Sequence, residues 1–163
     1  MKGKKTDMKK ILVVAAHPDD EILGVGATVS KHAAQGDEVY ALILGEGQTS
    51  RGEHREDISA DVVKELHQNT LESAEKVGYK EVYFADFPDN RFDQVDLLDV
   101  VKAVEHKIKE IQPGIIYTHY SGDLNIDHQY TARAVLTATR PIGDYPVKEI
   151  YAFETLSSTE WNF

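Results

Sequence analysis

The segment Ala16–Glu21 places one imidazole and three carboxylates side by side, and these groups bind metal ions and move protons. It reads Ala-His-Pro-Asp-Asp-Glu, with the imidazole at His17 and the acids at Asp19, Asp20 and Glu21. Neighbouring carboxylates repel one another unless a cation balances their charge. Imidazole and carboxylate together suit zinc, and a spare carboxylate can act as a base. The segment therefore predicts a zinc site with a general base beside it.

The sequence on either side predicts where this segment lies in the fold. The hydrophobic run 11–16 precedes it and is typical of a buried parallel strand. Residues 21–35 then have helical spacing and end at Gly36, a residue suited to a helix C-cap. In a parallel α/β sheet, the turn between such a strand and helix lies at the carboxyl edge, where ligands bind.

Strands and helices alternate along the rest of the chain. This order predicts an α/β fold, Rossmann-like, with three αβα layers and a mostly parallel sheet of about five strands. In the helix predicted after the second strand, Val62 and Leu71 belong to the expected buried face. The predicted strands are 10–16, 39–44, 81–85, 115–118 and 147–153, and the predicted helices are 21–35, 56–77, 97–111 and 127–139.

A second polar cluster follows the fourth strand. Residues 119–128 read His-Tyr-Ser-Gly-Asp-Leu-Asn-Ile-Asp-His. In a doubly wound sheet the first and fourth strands flank the crevice where the winding reverses, so His128 is expected to face His17 and Asp20. Two histidines and one aspartate leave a position open for water, as catalytic zinc sites do. Asp127 is expected either to cap the following helix or to orient a metal ligand.

Composition narrows the class of protein. The chain has 163 residues, enough for one domain with a core, and its net charge of −10 argues against nucleic acid and against an anionic membrane surface. It has no cysteine, which excludes disulfides and thiolate zinc sites. No apolar run approaches the about 20 residues of a membrane-spanning helix, and the start lacks the apolar stretch of a signal peptide. We therefore expect a cytoplasmic protein, with residues 1–8 as a flexible tail and 9–163 as a single domain.

Together the two motifs resemble a known family. Ala-His-Pro-Asp-Asp-Glu after the first strand, with Asp-Leu-Asn-x-Asp-His before a late helix, is similar to the PIG-L or LmbE-like zinc N-deacetylases. Those enzymes remove acetyl groups from N-acetylglucosamine-type sugars and their conjugates. The resemblance runs from about residue 9 to the end of the chain. It implies that His17, Asp20 and His128 hold one zinc ion, and that Asp19 is the general base that takes a proton from the metal-bound water.

Two departures from the family pattern affect what the resemblance implies. Asn125 stands where many members have the histidine that polarises the carbonyl; its amide can donate a hydrogen bond but carries no positive charge. Deacetylation remains feasible, and the predicted catalytic residues are Asp19, Asn125 and Asp127. Relatives also continue for some tens of residues beyond Phe163, so the domain is expected to lack the family's C-terminal part.

The substrate is less well specified than the reaction. Arg51 and Arg55 follow the second strand and Arg91 follows the third, and each could hold sugar hydroxyls, a phosphate or a solvated ion pair. We expect a small N-acetylated amino sugar or conjugate as partner, no nucleic acid and no membrane insertion, and a homo-oligomer is compatible with the sequence. The alternatives are a non-catalytic sugar or sugar-nucleotide binding protein on the same fold, and a hydrolase of a non-sugar N-acyl amine. A magnesium phosphatase fits less well, because His17 and His128 suit zinc better.

The remaining notable residues have structural interpretations. Glu21 is expected either to interact with the helix dipole as an acid of the first turn or to contact a metal ligand. His119 is expected to support the site without binding metal. Gly24 and Gly26 are expected to let a helix approach the sheet closely, since acids in the preceding turn would repel a dinucleotide pyrophosphate. The histidines expected at the surface are His32, His54, His67 and His106.

Overall fold

The structure is a computed structural model, and it describes residues 8–142, 147–156 and 158–161. The predicted tail at 1–8 lies outside the described residues except for Met8, which is 58% exposed. Part of the break predicted before the last strand, residues 143–146, also lies outside them.

The core of the fold is one five-stranded sheet in which every pairing is parallel. The strand order is β3-β2-β1-β4-β5. This confirms the predicted Rossmann-like α/β fold. The strands are β1 Lys10–Ala15, β2 Glu38–Gly45, β3 Glu81–Phe87, β4 Ile115–His119 and β5 Glu149–Phe153.

Helices cover both faces of the sheet, because the central strands are apolar on both sides. In β1, residues 11–15 are fully buried, with Ile11 and Val13 in one core and Leu12 and Val14 in the other. The first core contains Val29 of a helix that follows β1, and the second contains residues of the two helices that flank β4. The helices are α1 Asp20–Leu23, α2 Gly26–Ala34, α3 Ala60–Val77, α4 Leu97–Ile111 and α5 Ile126–Ala138.

The helix predicted over 21–35 is two helices, separated at Gly24 and Val25. A Cβ at Gly24 would lie 2.3 Å from Cδ2 of Phe153 in β5, so α1 approaches the sheet more closely than any other residue type would allow. The predicted close approach is thus confirmed at Gly24. It is wrong for Gly26, where the nearest atom would be 3.6 Å from an added Cβ.

Helix α3 also differs from its prediction. It begins at Ala60, after a 3₁₀ turn at Arg55–Asp57, and not near residue 56. Val62 and Leu71, expected to be buried, are 37% and 42% exposed. The reason is topological, since α3 leads into β3, the strand at the edge of the sheet, and less sheet surface is available there.

The strand order places β1 and β4 side by side at the centre, with β2 and β3 on one side and β5 on the other. The winding therefore reverses between β1 and β4, and a crevice opens at their carboxyl ends. Within the described parts of the chain, no helix is both long and apolar enough to cross a membrane.

Candidate active site

Three predicted metal ligands meet in the crevice. Oδ2 of Asp20 lies 3.4 Å from Nδ1 of His17 and 3.4 Å from Nε2 of His128. One donor atom from each residue lies within 4.8 Å of the others. Two imidazole nitrogens and one carboxylate oxygen, with room for a further ligand, form a donor set that zinc accepts in catalytic sites. The residues present therefore fit the metal that the resemblance implies.

The chain positions these ligands through the ends of two neighbouring strands. His17 follows β1 and Asp20 begins α1, and the backbone N–H of His17 donates to Oδ2 of Asp20 at 2.8 Å. His128 lies in the first turn of α5, after β4. The segment after β1 and the segment after β4 thus deliver their side chains to the same point of the crevice.

Each of the two candidate ligand histidines has a carboxylate at its other nitrogen. Nε2 of His17 lies 3.0 Å from Oδ2 of Asp127, and Nδ1 of His128 lies 3.1 Å from Oδ1 of Asp123. Because an ionised carboxylate only accepts hydrogen bonds, these two ring nitrogens carry protons. The opposite nitrogens face Asp20, and a metal ion would have to displace the proton that Nδ1 of His17 shares with that carboxylate. Burial lowers the pKa of His17, but hydrogen bonds to the carboxylates of Asp127 and Asp20 outweigh it and raise that pKa to about 10.

Asn125, and not Asp127, is the N-cap of α5. Its Oδ1 accepts from the backbone N–H groups of Asp127 at 2.8 Å and His128 at 3.4 Å, and its Nδ2 donates to Oδ1 of Asn90 at 2.9 Å. The amide orientation is fixed, since a backbone N–H can only donate. Of the two roles predicted for Asp127, the structure shows contact with a ligand histidine. The second carboxylate oxygen of Asp127 accepts from the backbone N–H of Phe92 at 3.0 Å.

Asp19 lies exposed at the mouth of the crevice, next to the ligand Asp20. Its backbone has φ 144, a value that non-glycine residues rarely adopt, and its N–H donates to Oε2 of Glu21 at 2.9 Å. Partial burial and the charge of Asp20 raise the pKa of Asp19. Glu21 is itself buried, which raises its pKa to about 7. Glu21 thus supports the strained turn that presents Asp19.

His119 supports the site from beneath. It is 1% exposed, its Nε2 accepts the backbone N–H of Ala16 at 3.0 Å, and its ring stacks on that of His128 with centroids 3.9 Å apart. Although this Nε2 also lies 3.3 Å from Oδ2 of Asp20, its lone pair is already used by Ala16. Burial lowers the pKa of His119. Its structural role is confirmed.

Two pockets that border the candidate metal ligands meet at Asp19, which also lines a third pocket beside α1 and α3. One, of about 450 Å³, contains the ligand side of the crevice; the other, of about 230 Å³, is polar and includes His17 and Arg51. The sequence indicated the loops that form the polar pocket but not which of their side chains line it. The larger pocket is lined by Asp19, Asp20, Leu23, Leu124, Asn125, His128, Thr155, Leu156 and Ser158, and the polar one also by Gln48, Ser50, Asp89 and Asn90.

The three predicted substrate arginines lie in different surroundings. Arg51 lines the polar pocket beside Asp19. Arg55 makes a bidentate ion pair with Glu46, at 2.7 and 2.8 Å, in a separate pocket of about 480 Å³. Arg91 precedes the 3₁₀ turn Phe92–Gln94 and lies outside the lining of both pockets that meet at Asp19. The structure thus brings Arg51 to the crevice and gives Arg55 an ion-pair partner.

Two of the four histidines predicted at the surface are half-buried and have partners. His32 lies between Asp37, 2.8 Å from its Nδ1, and the Tyr117 hydroxyl, 3.0 Å from its Nε2. His67 stacks on Phe84 with ring centroids 3.9 Å apart. The prediction was wrong for these two, because their partners come from distant strands. It is confirmed for His54 and for His106, which are exposed.

The chain is similar to known deacetylases in sequence and in overall fold. Among curated proteins, the uncharacterized deacetylase YaiS of Escherichia coli is 27% identical over 155 residues, which cover 92% of this chain and 76% of that protein. Diacetylchitobiose deacetylase of Thermococcus kodakarensis is 33% identical over 114 residues, 68% of this chain and 40% of the relative. The solved N,N'-diacetylchitobiose deacetylase from Pyrococcus horikoshii matches with a TM-score of 0.73 and 22% identity, over 92% of this chain and 62% of that one.

The chain thus spans between 40% and 76% of the length of these two curated relatives. The family model PIG-L, described as GlcNAc-PI de-N-acetylase, matches residues 12–139. That range begins in β1 and ends just after α5, so it includes both motifs and all three candidate ligands. The chain therefore belongs to the PIG-L family of GlcNAc-PI de-N-acetylases.

Proposed function

We propose that this protein is a zinc-dependent hydrolase that removes the acetyl group from an N-acetylglucosamine-type sugar or its conjugate, with Asp19 as the general base. The observation that carries the proposal is the convergence of His17 Nδ1, Asp20 Oδ2 and His128 Nε2 in a crevice whose mouth holds Asp19. Relatives that act on diacetylchitobiose support the substrate class.

The reaction needs a nucleophile at neutral pH and a place for the negative charge that develops on the amide oxygen. His17, Asp20 and His128 would hold the zinc ion, which would supply a bound water with a pKa of about 7 and a Lewis acid for the carbonyl. Asp19 is an exposed carboxylate that lines the same pocket as Asp20 and His128, whereas the other carboxylates near the two histidines are buried. It therefore accepts the proton of the attacking water. The same carboxyl group then gives that proton to the leaving amine. A raised pKa suits both steps, because it lessens the cost of holding the proton.

The other residues orient these groups. Asp127 and Asp123 hold the protonated nitrogens of the two ligand histidines, which keeps the opposite nitrogens toward Asp20. Asn125 has one Nδ2 proton beyond the one that it donates to Asn90, and that proton is the neutral donor that it can offer to the oxyanion. Loss of one such donor costs about 2.7–4 kcal/mol in enzymes that depend on it.

The sugar fits the polar pocket on the other side of Asp19. Gln48, Ser50 and Arg51 line it together with His17, and they supply amide, hydroxyl and guanidinium groups for ring hydroxyls. Arg55 and Arg91 remain predicted substrate residues, and Arg51 is the first of the three to test.

The decisive experiment combines metal analysis with an acetate-release assay on N-acetylglucosamine and diacetylchitobiose. We expect about one zinc per chain, loss of acetate release with a chelator and recovery with zinc. Asp19→Asn is the sharpest variant, because asparagine has the shape of aspartate and so makes no new steric demand on the backbone, while its amide cannot act as the base. It should abolish turnover and keep the metal.

Asp61→Asn, an exposed position in α3, is the matched control and should leave both readouts unchanged. Wild-type protein without stoichiometric metal would refute the proposal. Acetate release from non-sugar N-acyl amines, with none from sugars, would show that the substrate is a non-sugar N-acyl amine. Sugar binding with no hydrolysis of any amide would favour a non-catalytic binding protein.

A further inference from the structure

Asp123 is a buried carboxylate whose contacts converge on one metal ligand. It is 1% exposed and lies in the loop between β4 and α5. Its Oδ1 lies 3.1 Å from Nδ1 of His128 and accepts the backbone N–H of Asn125 at 2.8 Å. A carboxylate removed from water needs such donors, since burial of an unpaired charge is costly.

The segment after β5 holds the same carboxylate from the other side. The Ser158 hydroxyl donates to Oδ1 of Asp123 and also lies 3.5 Å from Nδ1 of His128, and the Thr159 hydroxyl donates to Oδ2 of Asp123 at 2.6 Å. The Thr159 oxygen in turn accepts the backbone N–H of Thr155 at 2.8 Å. Asp123 is therefore fixed by hydrogen bonds from two segments that are distant in sequence, and it has little freedom to turn away from His128.

We propose that Asp123 is a positioning residue for the metal site: it holds the His128 imidazole with Nε2 toward Asp20, while Ser158 and Thr159 hold Asp123. The inference rests on the metal site of the proposed function. It adds that the segment after β5 controls the affinity of that site, although neither hydroxyl binds the metal. A carboxylate at the remote nitrogen of a ligand histidine fixes its tautomer and ring orientation, and loss of such a partner typically costs about 10–100-fold in metal affinity.

The test is zinc affinity by competition with a chelating dye, which needs no substrate. We expect Asp123→Ala to weaken zinc binding by about 10–100-fold, and Asp123→Asn to weaken it less, because the amide oxygen still accepts from Nδ1 of His128. Asp37→Asn is the matched control, since Asp37 also lies 2.8 Å from a histidine nitrogen, that of His32, but away from the crevice. It should leave zinc affinity unchanged.

A second pair of measurements separates positioning from the charge alone. Thr159→Val keeps the Asp123 charge and both Ser158 contacts, but it removes the hydrogen bond that Thr159 donates to Oδ2 of Asp123. It should still weaken zinc binding several-fold. In histidine-labelled, zinc-loaded protein, the hydrogen-bonded Nδ1–H signal of His128 should be present in the wild type and lost in Asp123→Ala. Thermal unfolding of the same variant reports any general loss of stability separately.

The outcomes separate the two proposals. A wild type that binds no zinc would overturn both. A wild type that binds zinc, with affinity kept within twofold in Asp123→Ala, would overturn this inference and leave the proposed function standing. Zinc affinity unchanged in Thr159→Val would overturn the role of the segment after β5 in holding Asp123.

Discussion

Gly24 and Gly26 lie two residues apart but have different surroundings, so the same substitution should act on them in opposite directions. A Cβ at Gly24 would lie 2.3 Å from Cδ2 and 2.7 Å from Cε2 of Phe153, far inside the contact distance of two carbon atoms. At Gly26 the nearest atom, Cγ2 of Ile22, would lie 3.6 Å away, which is an ordinary contact. Gly24→Ala should therefore destabilise the fold, and Gly26→Ala should not.

The structure sets the size of each effect. The Gly24 backbone is helical, with φ −79 and ψ −45. Alanine there gains about 1 kcal/mol of helix propensity, but overpacking a filled core costs about 1–3 kcal/mol. Phe153 has little room to move, since it is 5% exposed and its ring centroid lies 4.6 Å from that of His119. We expect a net loss of up to about 2 kcal/mol for Gly24→Ala, and a gain of up to about 1 kcal/mol for Gly26→Ala.

Urea unfolding measures this difference, provided that the slope with urea is the same in both variants. The urea concentration at the midpoint of unfolding should be lower for Gly24→Ala than for the wild type, and it should not be lower for Gly26→Ala. Because α1 carries Asp20, Gly24→Ala should also weaken zinc binding, whereas Gly26→Ala should not. Equal stability of the two variants, or a Gly24→Ala protein more stable than the wild type, would refute the argument that Phe153 sets the position of α1.

Three further predictions test other contacts. Asn125→Ala removes the oxygen that caps α5, and it should cost about 1 kcal/mol in urea unfolding; an unchanged midpoint would count against the cap. Burial raises the pKa of Asp37, but hydrogen bonds from a backbone N–H and from His32 outweigh it and lower that pKa. The ionised carboxylate therefore stabilises the fold above the unfolded-state pKa of about 3.9, and this stabilisation is lost as the pH falls through the pKa of the folded protein. Asp37→Asn should therefore flatten stability against pH below about pH 4, and a profile that stays as steep as the wild type would contradict this. Arg51→Ala should raise KM for an N-acetyl sugar more than Arg55→Ala does, because Arg55 is held in an ion pair away from Asp19; equal effects on KM would remove the distinction.

The parts of the fold that the sequence predicted well depend on local pattern and element order. The apolar run before His17 is long enough to be a buried strand, and strands alternating with helices require parallel crossovers. The order of the strands then places the ends of β1 and β4 together, which is why His17, Asp20 and His128 could be expected to converge. No knowledge of side-chain packing was needed for that step.

The errors arose where a distant element decides the local structure. The break at Gly24 depends on Phe153, which is 129 positions further along the chain by sequence number and contacts Gly24 only in the folded sheet. The exposure of Val62 depends on which strand forms the sheet edge. His32 was expected at the surface, but its partner Tyr117 comes from a central strand. A pattern of residue types contains none of these contacts.

Asn125 shows how a departure from the family pattern can belong to a larger arrangement. Its Nδ2 donates to Oδ1 of Asn90, whose own Nδ2 donates to the Ser50 hydroxyl, and that hydroxyl and its backbone N–H donate to Asp89. These bonds join the loops after β2 and β3 to the start of α5. A histidine at 125 could not accept two backbone N–H groups with one side-chain oxygen and also donate an amide proton to Asn90. The asparagine therefore connects the polar pocket to the half of the site that contains His128. A histidine at this position would lose these hydrogen bonds, whatever it added to catalysis.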